Sequence, residues 1–229
     1  MTKNEQAAKL AARIDEIRAC RICIERPSGK PLPHEPRPVV VPSASARILI
    51  AGQAPGTRVH ESGRPFTDRS GDRLREWLGV SDAEFYDPDN FAIVPMGFCF
   101  PGLDAKGGDL PPRRECATHW RADLMAAMPQ LDLLLLIGQY AQSWHLGARR
   151  GKNMTDTVRA WRDFVVPGKA PLIFPLPHPS WRNTGWLKKN PWFEEDLLPV
   201  LRPAVRERIG QTEQSHPDSG IGSSRENHS

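Results

Sequence analysis

The run 133-LLLLI-137, followed at once by Gly138 and a helical segment through Leu146, decides the fold. A strand that is apolar at every position has no solvent-facing side. It belongs inside a parallel sheet covered on both faces. Outward from it, three more apolar runs read as strands: 47-RILIA-51, 91-FAIVPM-96 (cut by Pro95) and 172-LIFPL-176. Helical segments lie between them. The first sets Leu10, Ile14 and Ile17 at helical spacing. The segment 70-SGDRLREWLG-79 reads as a helix with Ser70 as its N-cap and Gly79 near its end. Further helices are expected over about 113–128 and 192–205. Strands alternating with helices indicate an α/β fold, here a three-layer α/β/α arrangement around a central, mainly parallel sheet. One domain is expected over 1–210. The remainder, 211–229, is rich in Ser, Gly and charge and is expected to be disordered.

The chain has 229 residues, 39% of them hydrophobic and 25% charged, which is enough apolar material for a core without covalent staples. The formal net charge of +4 is compatible with an anionic partner such as nucleic acid but does not single one out. No apolar run approaches a membrane span, and polar residues interrupt the N-terminal segment where a signal peptide would need an apolar core. The expected location is the cytoplasm, with no membrane association. Stable disulfides are uncommon there, so the four cysteines draw attention as ligands. Cys20 and Cys23 form a close pair, and Cys99 and Cys116 lie far downstream. By spacing alone a tetrahedral zinc, an iron–sulfur cluster and four plain thiols all remain open.

In α/β sheets ligands sit at the carboxyl ends of the strands. Three loops leave such ends. The first, 52-GQAPGTRVHESGRPFTDRSGDRL-74, is rich in glycine and carries Phe66. The second holds Cys99. The third is 177-PHPSWRN-183.

The order and spacing of these pieces resemble the uracil-DNA glycosylase superfamily, in particular its iron–sulfur, family-four-like branch. The similarity runs from about Cys20 to Pro199. It is carried by 52-GQAPG-56 after the first strand, 63-GRPF-66, Cys99 and Cys116, 136-LIGQ-139 and 178-HPS-180. The resemblance implies a monomeric DNA-repair glycosylase acting on DNA that contains a damaged base, most simply uracil, and leaving an abasic site. A glycosylase for a deaminated purine, or a non-catalytic binder of damaged or single-stranded DNA on the same scaffold, are the alternatives. It also implies a structural [4Fe–4S] cluster on Cys20, Cys23, Cys99 and Cys116, with zinc as the alternative.

The same resemblance distributes roles. An enzyme acting on a base takes it out of the stack, and Phe66 is the ring on which it would lie, unless it is a plain core residue. Gly52, Ala54, Pro55 and Gly56 would line the pocket and offer backbone donors. His178 would donate to the departing base, and Ser180 belongs to its motif. Two departures stand out. Gln53 replaces the family's glutamate, and Pro95 falls where its base-reading asparagine is expected. Asp68 is the first substitute for the water-orienting acid, unless it serves as a helix N-terminal partner. His60, Glu61 and Gln53 come next. Asn183 is the substitute for the base-reading amide. DNA contact falls to Trp181 as an apolar wedge and to Arg182, Lys188 and Lys189 on phosphates. A solvated surface loop with anchoring tryptophans is the plain alternative for that segment.

Overall fold

The computed structural model describes residues 2–209, so the expected disordered tail lies outside the described residues. In chain order the elements are α1 (Lys3–Arg18), α2 (Ile22–Glu25), β1 (Ile48–Ala51), α3 (Thr57–Ser62), α4 (Arg69–Leu78), α5 (Asp82–Tyr86), β2 (Phe91–Ile93), α6 (Arg114–Cys116) and α7 (Ala122–Ala126). They continue as β3 (Leu133–Ile137), α8 (Gly138–Leu146), α9 (Met154–Arg159), β4 (Leu172–Leu176), α10 (Thr184–Lys189) and α11 (Leu198–Ile209). A π-turn, Ala117–Arg121, joins α6 to α7, and another, Phe193–Leu197, opens α11.

The strands form one sheet in the order β2-β1-β3-β4, and every pair is parallel. Successive side chains point to opposite faces of a strand. Accordingly Leu49, Ala51, Leu134, Leu136 and Ile173 pack with α1, α7 and α8 on one side. Ile48, Ile50, Leu133, Leu135, Phe174 and Leu176 pack with α4, α9 and α11 on the other. This double burial is why the strands are apolar throughout. The layered α/β/α architecture follows directly, and each fully buried Leu or Ile adds about 1.5–3 kcal/mol of hydrophobic driving force.

Several boundaries differ from the sequence reading, for identifiable reasons. β2 stops at Ile93, well short of Met96. Pro95 has no N–H to give a ladder, although Val94 N and Met96 N still donate to Ile50 and Gly52 carbonyls (both 2.9 Å). Pro175 is tolerated inside β4 because β4 is an edge strand. Ser70 is not an N-cap: Asp68 holds that position, and Ser70 is buried inside α4. The expected helix over 113–128 begins at Arg114 and is interrupted by the first π-turn. The last helix extends to Ile209, past the expected 205. Five short helices, α2, α3, α5, α9 and α10, were not foreseen. α3, with the sequence TRVHES, buries no residue and therefore carries no apolar period. Among the described residues no helix is long and apolar enough to cross a membrane.

Candidate active site

The three loops converge. A cavity of about 440 Å³ opens at the carboxyl ends of the strands, a size suited to a small ligand. It is lined by Gly52 to Val59 from the first loop, by Phe66 and Asp68 beyond α3, by Ile93 and Pro95 after β2, by Asp109, and by His178 and Trp181.

Phe66 is held in an unusual conformation. Its φ is 55°, in the left-handed region that a bulky residue seldom adopts. The surroundings enforce it. Tyr86 Oη donates to the carbonyls of Pro65 and Phe66 (2.9 and 3.0 Å), and the Phe66 ring meets Phe85 edge-on with centroids 5.9 Å apart. The ring tip lies close to Gly52: a Cβ there would be in ordinary contact with Phe66 Cζ at 3.6 Å. Phe66 is thus only half-buried, with one flank packed and another on the cavity.

Asp68 occupies the N-cap position of α4, yet its side chain makes no capping bond. Its Oδ1 instead accepts from Ser70 Oγ at 2.6 Å, and the carboxylate lines the cavity. His178 reaches the same cavity from the loop after β4. Burial pushes its pKa below the ordinary histidine value, and the charge of Asp68 opposes that shift only in part. The imidazole is neutral at physiological pH. Among the described residues neither ring nitrogen has a hydrogen-bond partner, so both are available to a ligand. The loop is fixed through its backbone: Asn183 Nδ2 donates to the His178 carbonyl at 2.7 Å.

The remaining assigned residues separate into two groups. Gly52, Gln53, Ala54, Pro55 and Gly56 all line the cavity. Gln53 also spends its amide on the Leu110 carbonyl at 3.3 Å. His60 and Glu61 do not line it. The His60 ring packs against His34 and Phe100, with centroids 4.4 and 5.7 Å away, and Glu61 is exposed on α3. Ser180 and Asn183 lie outside the lining as well. The Asn183 amide is committed to the loop, not to a base edge. Trp181 is 70% exposed at the cavity rim, with the Arg182 guanidinium 5.8 Å from its ring centroid. Lys188 and Lys189 are on α10, beyond the cavity.

Sequence reasoning missed Asp109. It belongs to a small hairpin, 102-GLDAKGGDL-110, with a backbone bridge between Leu103 and Asp109 and a turn clamped by Asp104 Oδ1 on the amides of Lys106 and Gly108 (2.8 and 2.9 Å). The signal was the Gly-Gly pair before the acid, in a loop leaving a strand end.

A second, much smaller cavity of about 10 Å³ is ringed by Cys20, Cys23, Cys99 and Cys116, together with Phe98 and Trp120. All four thiols are free. Burial pushes the Cys23 thiol up to about 11 and the Cys99 thiol up to about 12, and raises Cys116 further. Two donors address the sulfurs: Trp120 Nε1 to Cys20 Sγ at 3.2 Å and Phe98 N to Cys116 Sγ at 3.4 Å. Among the described residues no group of three or more His, Cys, Asp or Glu side chains is arranged to hold a metal ion.

The family model described as Uracil DNA glycosylase superfamily covers residues 38–202, which takes in the whole sheet and every loop that lines the large cavity.

Proposed function

The chain belongs to the uracil DNA glycosylase superfamily, and on that premise we propose that it hydrolyses the N-glycosidic bond of a base flipped out of DNA, with uracil as the first substrate. The observation that carries this reading is the meeting of Phe66, Asp68 and His178, from separate segments, around one cavity.

The chemistry follows from the positions. An extruded pyrimidine stacks on the Phe66 ring. Heterolysis of the C1′–N bond sends the electron pair to the base and leaves positive charge on the sugar. A neutral His178 N–H stabilises the developing negative charge on the base oxygen without giving up its proton, an effect of fixed dipoles in a site shielded from water. Asp68 orients a water molecule toward C1′ and takes its proton as the new C–O bond forms. Its carboxylate caps no helix amide, and its one hydrogen bond, from the Ser70 hydroxyl, falls on Oδ1. No lysine is among the residues lining the cavity, in keeping with a monofunctional hydrolase that leaves an abasic site. Trp181 fills the gap in the duplex, and Arg182, Lys188 and Lys189 engage phosphates.

The four cysteines line one small cavity, and N–H donors address two of the sulfurs. That gathering supports a centre bound through thiolates, with a [4Fe–4S] cluster, one thiolate per iron, as the first reading and a tetrahedral zinc as the second. Held by these residues, such a cluster would cross-link the turn after α1, α2, the loop after β2 and α6.

The deciding experiment is base release by the purified chain from oligonucleotides carrying uracil, hypoxanthine or xanthine. Release of uracil supports the proposal. Release of a purine alone moves it to the deaminated-purine reading. Salt-sensitive binding with no release of any base makes the chain a binder.

A further inference from the structure

We infer that Asp109 is a second catalytic carboxylate, acting on the cationic sugar from the pocket rim while Asp68 serves the water. The inference rests on the glycosylase reading above and adds a residue to it.

Three observations lead there. First, Asp109 lines the same cavity as Phe66, Asp68 and His178, and is delivered to it by the hairpin bridge to Leu103 and by Leu110 N donating to the Gly102 carbonyl at 2.9 Å. Second, the opposing loop is built to receive it. Gly56 has no side chain, and a Cβ there would sit 3.3 Å from Asp109 Oδ2. Third, the carboxylate has no partner inside the protein. Among the described residues no donor hydrogen-bonds to it and no cation pairs with it within 4 Å.

A carboxylate that lines the cavity and has no protein partner is open to a cationic ligand group. Burial raises its pKa, Arg182 opposes that shift, and the charge of Asp68 adds to it. These charged neighbours also locate it. Arg182 belongs to the DNA-facing segment, and the Asp109 residue as a whole is exposed. It therefore stands at the exposed rim of the cavity, where the sugar would lie. From there it forms no bond and moves no proton. It lowers the energy of the positive charge shared by C1′ and the ring oxygen while the base departs with the bonding pair.

The test compares two duplexes: one with a cationic pyrrolidine abasic mimic, one with neutral tetrahydrofuran. The full chain and its Asp109→Asn variant are titrated with both. The parent is expected to prefer the cationic duplex by about tenfold or more, and the variant to lose most of that preference while binding the neutral duplex as before. Retained preference in the variant, an equal loss on both duplexes, or no preference in the parent would overturn the inference. If the preference depends on Asp109 but the parent releases no base, the hydrolytic reading fails and the charge role of Asp109 stands.

Discussion

The carbonyl oxygen of Phe66 fills the space where Gly71 would carry a side chain: a Cβ built on Gly71 lies 1.9 Å from it and 2.7 Å from the carbonyl carbon. The first turn of α4 therefore presses directly on the backbone of Phe66, the proposed base platform. No L-residue with a side chain fits there unless α4 or the platform moves.

Gly71→Ala is expected to destabilise the chain by about 1–3 kcal/mol, the usual range for overpacking, and to reduce base release more than the stability loss alone explains. Chemical denaturation with single-turnover kinetics on the same samples checks both. Activity that follows the folded fraction only would separate Gly71 from the platform.

Removing the ring tests the platform itself. Phe66→Ala should slow single-turnover release by about tenfold to a hundredfold, as expected for losing about 1–3 kcal/mol of stacking. Phe66→Tyr should retain most of the rate. An unaffected Phe66→Ala enzyme would mean that the base lies elsewhere.

His145 gives a pH prediction that does not involve the pocket. Its Nε2 faces Arg121 Nη2 at 2.7 Å, and arginine can only donate, so the imidazole accepts and is neutral. Burial, with the Arg121 charge adding to it, pushes the His145 pKa down to about 3. The unfolded state titrates near the ordinary value of about 6.5. The folded pKa being the lower, the contribution to stability is complete above about pH 6.5 and is lost progressively as pH falls toward 3. Between pH 6.5 and 5 the loss is about 2 kcal/mol. Urea denaturation at several pH values should show this dependence in the parent and a shallower one in His145→Gln.

The cysteine site predicts that protein purified without oxygen carries iron and a broad visible absorbance, and that Cys99→Ser loses both and unfolds at lower temperature. A colourless chain with one zinc per molecule would replace the cluster reading.

Trp181→Ala should weaken binding to a duplex with a lesion more than binding to single strands, since only the duplex has a gap to fill. Lys188→Ala should weaken both alike and make the salt dependence on duplex DNA shallower by about 0.9 in log–log slope, the share of a single phosphate. Fluorescence titrations at several salt concentrations separate the two effects.

The sheet was legible because a parallel strand buried on both faces has one readable feature, an unbroken apolar run, and Ile48–Ala51 and Leu133–Ile137 have it in full. The loops at their ends were legible as ligand-bearing because glycine and proline cluster there. Side-chain commitments were not legible. Asn183 offers the same amide to a base edge or to the His178 carbonyl, and only the tertiary path shows that the carbonyl takes it. The helix starts after Asp68, two residues before the expected Ser70 cap, since either residue type is an acceptable cap. Asp109 was missed because a lone acid in a loop has no period to mark it.

Arg73, in α4, donates to the Ser180 carbonyl at 2.9 Å and to Thr184 Oγ1 at 3.3 Å. The helix that begins at the platform is thus tied to the segment that carries Trp181. On the proposed reading of Trp181 as wedge and Phe66 as stacking ring, those two bonds make them the jaws of a fixed caliper. Its span is set before any DNA arrives, so a nucleotide is judged by whether it can reach across a gap of constant width.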